Sequence, residues 1–305
     1  MIASLSVNSL KQYNVALRKW LQFASNKKID DYLSPTISMV LLFLTNEFDR
    51  GANYSTLNTY RSALGLLLGK HFSTNEFVNR FFKGVFRKKP CFPKYQATWD
   101  PNKVLDQMST LYPNENLALD LLAKKLVTLL ALSTAQRVQT LSLIRVTNIT
   151  VTDSNILIII NDLIKTSGPG KQMPRLIIPF FRDKVEICPA KTLISYIEST
   201  KLLRCGQNTD KLILTTKKPF HNASAATISR WIKQMLAASG IDTTVFTAHS
   251  ARHAATSAAD RRGVSIDIIK RSAGWTGKSL VFSKFYNRPL ITNEDNVFAE
   301  AVCDL

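Results

Sequence analysis

The sequence predicts a mainly α-helical chain with one small antiparallel β-sheet, an α+β arrangement divided into two parts. Three observations predict it. Apolar residues recur at helical spacing from Leu10 to Val85. Two prolines among lysines, in Lys88-Lys89-Pro90-Cys91-Phe92-Pro93-Lys94, then break helix and keep the chain extended. Beyond them only two runs, 156–160 and 175–179, are rich in β-formers, and helical patterns surround both. With 305 residues, 45 % of them apolar, each part can bury a core of its own. The expected division is a helical bundle over residues 1–88, a linker over 89–97 and a second domain over 98–305.

In the first part, Leu10, Tyr13, Leu17, Trp20, Leu21 and Ala24 line one face of a helix over 9–25. A short, largely buried helix over 36–48 carries Val40, Leu41, Phe43 and Leu44 and stops before Asp49-Arg50-Gly51-Ala52. Ser55 is read as the cap of a third helix whose core stripe is Leu57, Tyr60, Leu64, Leu67 and Leu68, with Arg61 off the stripe. Phe77, Val78, Phe81, Phe82 and Val85 mark a fourth over 75–87. Four helices in so short a stretch make a small bundle.

The second part begins with a short helix over 102–108 and a strongly apolar one over 117–132, whose leucines require burial. Arg137 follows its end in Ser133-Thr134-Ala135-Gln136-Arg137, before a further helical piece starting at Val138. An arginine delivered from the end of a core helix has a packed stem and a free fork, which suits bidentate phosphate binding. The two β runs read as a hairpin whose long polar loop holds Lys165, Ser167-Gly168-Pro169-Gly170 and Lys171. Helices over 189–203 and 223–238, with a short strand over 211–214, read as scaffold, and His221 as a surface or structural residue.

Then comes Thr247-Ala248-His249-Ser250-Ala251-Arg252-His253. On a helix, the i,i+3 spacing turns His249 and Arg252 to one face, where an imidazole and a guanidinium can meet the same anion. Ala254, Ala255, Ala258 and Ala259 allow close packing behind them, and Arg261 with Gly263 reads as the helix end and its C′ glycine. Short helices over 265–272 and 280–286 carry the chain past Gly274-Trp275 to Tyr286. An amphipathic helix over 293–302 is expected last, with Val297, Phe298, Ala301 and Val302 on one side.

The net charge of +18 calls for a polyanionic partner, and nucleic acid is the usual one. Half of that charge lies in residues 1–96, so neither part is a mere basic tail. The cysteines, Cys91, Cys188, Cys205 and Cys303, stand far apart and suggest neither a zinc ribbon nor a disulfide framework. No apolar run approaches the roughly 18 residues of a membrane span. An intracellular protein is expected, with no cofactor and no metal, since neither a carboxylate pair for Mg²⁺ nor a Walker loop is present.

In this order, Arg137, Lys165, His249, Arg252, Trp275 and Tyr286 match the active-site pattern of the tyrosine recombinase (phage integrase) superfamily, and nearly the whole chain resembles it. Trp275 and the ending Lys284-Phe285-Tyr286-Asn287-Arg288 look most like the eukaryotic Crypton-type transposon recombinases. The resemblance implies an N-terminal SAM-like core-binding domain gripping double-stranded DNA, a catalytic domain, and a nuclear location in a eukaryotic host. It also implies self-association on DNA, from dimer to tetramer, with the final helix docking on a neighbouring protomer. It puts a catalytic lysine in the hairpin, where Lys165-Thr166 fits better than Lys171. Arg61, Lys88, Lys89 and Lys171 are candidate DNA contacts.

The chemistry of that set is coherent. A tyrosine oxygen can hold a phosphate covalently and conserve the bond for rejoining, which makes Tyr286 the candidate nucleophile and Tyr196 the alternative. His249 is the candidate base, Lys165 the candidate acid for the leaving 5′ oxygen. Arg137 and Arg252 suit the charge that builds on the phosphorane, and Trp275 can donate one hydrogen bond but cannot shuttle protons. Two features depart from the family pattern: Thr140 stands where an acidic residue often supports the first arginine, and the Trp275–Tyr286 interval is slightly long. The competing readings are a domesticated, catalytically silent DNA-binding protein and a type IB topoisomerase.

Overall fold

The structure, a computed structural model, describes residues 4–170, 173–204, 209–275 and 279–290. The chain forms two compact units, Met1–Phe92 and Pro93–Leu305. The division falls inside the segment expected as a linker, and Tyr95 of that segment is buried in the second unit.

Five helices build the first unit: α1 (Val7–Asn26), α2 (Ile37–Asp49), α3 (Tyr54–Leu68), α4 (Lys70–Thr74) and α5 (Glu76–Lys88). Side chains of Ser6, Thr36, Asn53 and Asn75 cap four of them by accepting from free amides of the first turn. The cap of α3 is therefore Asn53, whose Oδ1 accepts from the Thr56 amide at 2.9 Å, and Ser55 lies inside the first turn. The short α4 was not legible as a helix of its own; Gly69, at φ +98°, separates it from α3. Trp20 and Phe43 meet edge to face at 5.4 Å in the core, and the Trp20 indole donates to the Tyr32 carbonyl. Buried Glu47 is neutralised by Lys19 at 2.6 Å and Arg50 at 2.9 Å.

The second unit is built around α7 (Leu119–Thr134), whose apolar residues pack against α9 (Pro189–Thr200), α10 (Ala225–Ala238) and α11 (Ser250–Arg261). Helix α6 (Pro101–Ser109) opens with Pro101 behind an Asp100 cap. Lys125, fully buried in α7, donates to the Leu111 carbonyl at 2.5 Å and to Asn114 Oδ1 at 2.8 Å, and burial lowers its pKa to about 8. The sheet has the order β1 (Ile149–Val151), β2 (Asn155–Ile159), β3 (Arg175–Pro179), antiparallel throughout, with Ile156 opposite Ile178 and Ile158 opposite Leu176. Those four side chains are buried, while Ile177 on the other face is exposed.

Three expectations are corrected here. Strand β1 was missed because three residues carry no readable period. The strand expected over 211–214 is absent; Lys211 and Leu214 make isolated bridges to Arg145 and Asn222 and join no ladder. The helix expected over 280–286 is one π-helical turn, Phe282–Tyr286. Helix α8 (Val138–Leu141) and α12 (Ile266–Ser272) complete the described α-helices. The final helix expected over 293–302 and Lys171 lie outside the described residues. Among the described residues no helix is long and apolar enough to cross a membrane.

Candidate active site

Helix α7 is followed by its C-cap, Ala135, which turns left-handed at φ +49° and leads into Gln136 and Arg137. The strained turn is held from two sides. Arg252 Nη1 donates to the Ala135 carbonyl at 2.6 Å, and Gln136 Nε2 donates to the Ser272 carbonyl at 2.6 Å. Arg137 then occupies the N-cap position of α8, half-buried, and no hydrogen bond or ion pair among the described residues engages its guanidinium.

His249 sits at the N-cap of α11 with helical backbone angles, φ −67° and ψ −25°, so the i,i+3 geometry with Arg252 holds. The turn beneath is fixed by Tyr95 Oη against Thr247 Oγ1 at 2.7 Å and by the Trp99 indole donating to Ser250 Oγ at 2.9 Å. Arg252 is 2 % exposed, with its guanidinium 4.3 Å from the Trp275 ring and 5.4 Å from that of Tyr286. One nitrogen serves Ala135; Nε and Nη2 are buried with no partner among the described residues. Burial, with Arg137 nearby, pushes this guanidinium down to about 10.

The π-helical turn carries Tyr286 into this cluster. Ser257 Oγ donates to the Tyr286 carbonyl at 2.6 Å and accepts from the Arg288 amide at 3.0 Å, so α11 holds the segment from both sides of the tyrosine. The Thr98 amide donates to the Pro289 carbonyl at 2.8 Å and anchors the chain beyond it. Tyr286 is 9 % exposed, and its Oη lies 2.9 Å from His249 Nε2. Trp275 approaches the same ring at 4.7 Å and 61°, with its indole nitrogen buried and unpaired among the described residues. The His249 imidazole, although the residue keeps solvent access, has its pKa lowered by partial burial and then by the charges of Arg252, Arg137 and Lys165.

Lys165 is exposed in a turn of the β2–β3 loop, closed by the Ser167 amide to the Ile164 carbonyl at 2.9 Å and the Ile164 amide to Ser167 Oγ at 3.0 Å. Its charge is the last of those that lower the His249 pKa. Arg145 grips Asp162 through Nε and Nη2, each at 3.2 Å, and also pairs with Asp210, fixing the base of that loop. The structure thus gathers His249, Arg252, Trp275 and Tyr286 by direct contact, with Arg137 next in the chain after Gln136 and Lys165 on the hairpin loop. Comparison with protein families matches residues 104–290 to the phage integrase family, more than half of the chain. The chain belongs to that family.

The fold agrees with it. A lambda integrase(75-356) dimer bound to a COC′ core site is 17 % identical, with a TM-score of 0.55 over 91 % of each chain. XerH site-specific recombinase bound to a palindromic difH substrate, a post-cleavage complex, is 16 % identical, with a TM-score of 0.64 over 98 % of this chain and 80 % of that one. A lambda integrase tetramer bound to a Holliday junction is 16 % identical, with a TM-score of 0.54 over 96 % of this chain and 76 % of that one. No curated protein sequence matches.

Within this family fold, the alternative nucleophile Tyr196 is fully buried, its Oη accepting from the Leu214 amide at 3.0 Å, and burial pushes its pKa up to about 12. His221 is exposed, with Nδ1 2.8 Å from Thr215 Oγ1. Arg61 lies in the first unit, its guanidinium 4.5 Å from the Phe82 ring and within 3.3 Å of Asn79 Oδ1. Lys88 ends α5, and Lys89 Nζ donates to the Gly51 carbonyl at 3.3 Å. Sequence reasoning passed over Gln136 and His253, both packed into the cluster. Adjacency to Arg137 and Arg252 was the only signal for either.

Proposed function

We propose that this protein cuts and rejoins double-stranded DNA through a covalent 3′-phosphotyrosine on Tyr286. The observation that carries the reading is Tyr286 Oη at 2.9 Å from His249 Nε2, beside buried, unpaired donors of Arg252 and Trp275. Buried donors without partners cost about 1–3 kcal/mol each, and a phosphate diester between them recovers that cost. In the proposed step Tyr286 oxygen bonds to phosphorus and His249 Nε2 takes the phenolic proton. The bond from phosphorus to the 5′ oxygen breaks, and Lys165 supplies the proton to that oxygen. Arg137, Arg252 and the Trp275 indole donate to the non-bridging oxygens as charge builds there. Rejoining runs the same steps backwards with a 5′-hydroxyl as nucleophile.

The residues Trp275 and Lys284-Phe285-Tyr286-Asn287-Arg288 support a place among Crypton-type recombinases, with integration or excision of a mobile element as the biological task. The DNA-bound dimers and tetramers of lambda integrase support assembly of this chain on DNA. The test is a library of nicked duplexes that lose a short 5′ strand on cleavage and so trap the adduct. The wild type is expected to yield a covalent adduct on a preferred sequence, and Tyr286→Phe to bind the same DNA without one. Binding with no adduct selects the silent DNA-binding reading. Relaxation of plasmids irrespective of sequence selects a topoisomerase.

A further inference from the structure

The proposed chemistry leaves the flat neighbour of Tyr286 unused. His253 follows His249 by one helical turn, and its ring lies on the Tyr286 ring with centroids 4.1 Å apart and planes only 14° apart. It is 8 % exposed. Tyr95 meets His253 edge-on at 5.2 Å, and His249 meets it edge-on at 5.6 Å, so the imidazole is itself held by two rings. Its Nδ1 is buried and unpaired among the described residues. A phenyl ring would fill the same space without burying that nitrogen. The contacts therefore seat the face of His253 on the tyrosine ring.

The two histidines of α11 stand differently toward the phenol. His249 points a nitrogen at the reacting oxygen. His253 presents a face, and its burial, then the cations around it, His249 when protonated, Arg288 and Arg252, keep it neutral, with a pKa of about 4. A base this weak, with its face rather than a nitrogen toward the phenol, does not compete for the phenolic proton. Because Oη lies at the far end of the side chain, a small tilt of the ring moves it away from both His249 and a phosphate.

We propose that His253 is a positioning residue for Tyr286, the surface that fixes the phenol ring in the plane from which Oη reaches His249 and the scissile phosphate. This rests on Tyr286 being the nucleophile. The test uses the full chain and two reactions. One is adduct formation on the nicked duplex. The other joins a 5′-hydroxyl strand to a duplex whose 3′ end carries a 4-nitrophenyl phosphate, which already holds an aryl leaving group and needs no Tyr286.

His253→Ala is expected to slow adduct formation about tenfold to a hundredfold, the usual cost of an ångström-scale misplacement. DNA affinity and ligation of the aryl ester stay near wild type, and His253→Phe, which restores a flat ring, recovers most of the lost rate. His253→Leu, which fills volume without a face, serves in place of the alanine variant if that variant melts, and is expected to be slow. Equal loss in both reactions, or no loss in adduct formation, overturns the proposal. A wild type that ligates the aryl ester but makes no adduct overturns the nucleophile assignment instead.

Discussion

His249 Nε2 and Tyr286 Oη lie 2.9 Å apart, brought together by the first turn of α11 and a π-helical turn 37 residues later. A base at that nitrogen must be neutral. Partial burial, then Arg252, Arg137 and Lys165, lower its pKa from the ordinary 6.5, because each disfavours the imidazolium. The acid limb of cleavage is therefore expected below pH 6.5. His249→Gln should remove the limb and slow adduct formation about 10²- to 10⁴-fold. Single-turnover rates between pH 5 and 8 measure both, and a limb above 6.5 contradicts the assignment.

The same burial has a cost in acid stability. His253 falls from 6.5 to about 4 in the folded protein, so between those values the unfolded chain binds a proton that the folded one refuses. The stability is present in full above pH 6.5 and is lost as pH falls through about 4. The loss from His253 is of the order of 3 kcal/mol at 1.36 kcal/mol per unit, and His249 acts in the same direction. Urea midpoints at pH 7 and pH 4.5 should differ less for His253→Phe than for wild type. Equal differences would place the acid sensitivity elsewhere.

A net charge of +18 should make DNA binding steeply salt-dependent, each phosphate contact adding about 0.9 to the slope of log affinity against log salt. Neutralising Lys88 and Lys89 together as glutamines is expected to lower that slope by about one to two and to weaken all sequences alike. Titrations from 50 to 300 mM salt test this. An unchanged slope removes both lysines from the contact set.

Much of this was legible because the residues carry local signals. Helical periodicity located α1, α2, α5 and α7, and the spacing from His249 to Arg252 survived because helical backbone angles extend back through the cap. What escaped was set by tertiary contact. Ala135 adopts a left-handed turn with no glycine to announce it, since Arg252 holds its carbonyl from 117 residues away. Tyr95, read as linker, is buried against Phe246 and His253, partners that only the fold supplies. The tyrosine segment read as an ordinary helix because the π-turn has no pattern of its own.

Gln136 gives the sharpest contrast with His253. Its amide lies along the turn that delivers Trp275: Nε2 donates to the Ser272 carbonyl at 2.6 Å, and a Cβ placed on Gly274 would stand 3.6 Å from that nitrogen. On its other side the chain continues directly into Arg137. One side chain therefore couples two groups that flank the proposed phosphate, and neither coupling passes through Tyr286. Gln136→Leu keeps the volume but leaves the Ser272 carbonyl without its donor, which costs about 1–3 kcal/mol of stability. It should slow adduct formation and ligation of the 4-nitrophenyl ester together, each by the order of tenfold to a hundredfold, because both reactions need Arg137 and Trp275 around the phosphate. Loss of adduct formation with ligation intact would mean that Gln136 acts on the tyrosine alone, and the coupling between the two phosphate-binding loops would then have to run through the Arg252 bond to Ala135.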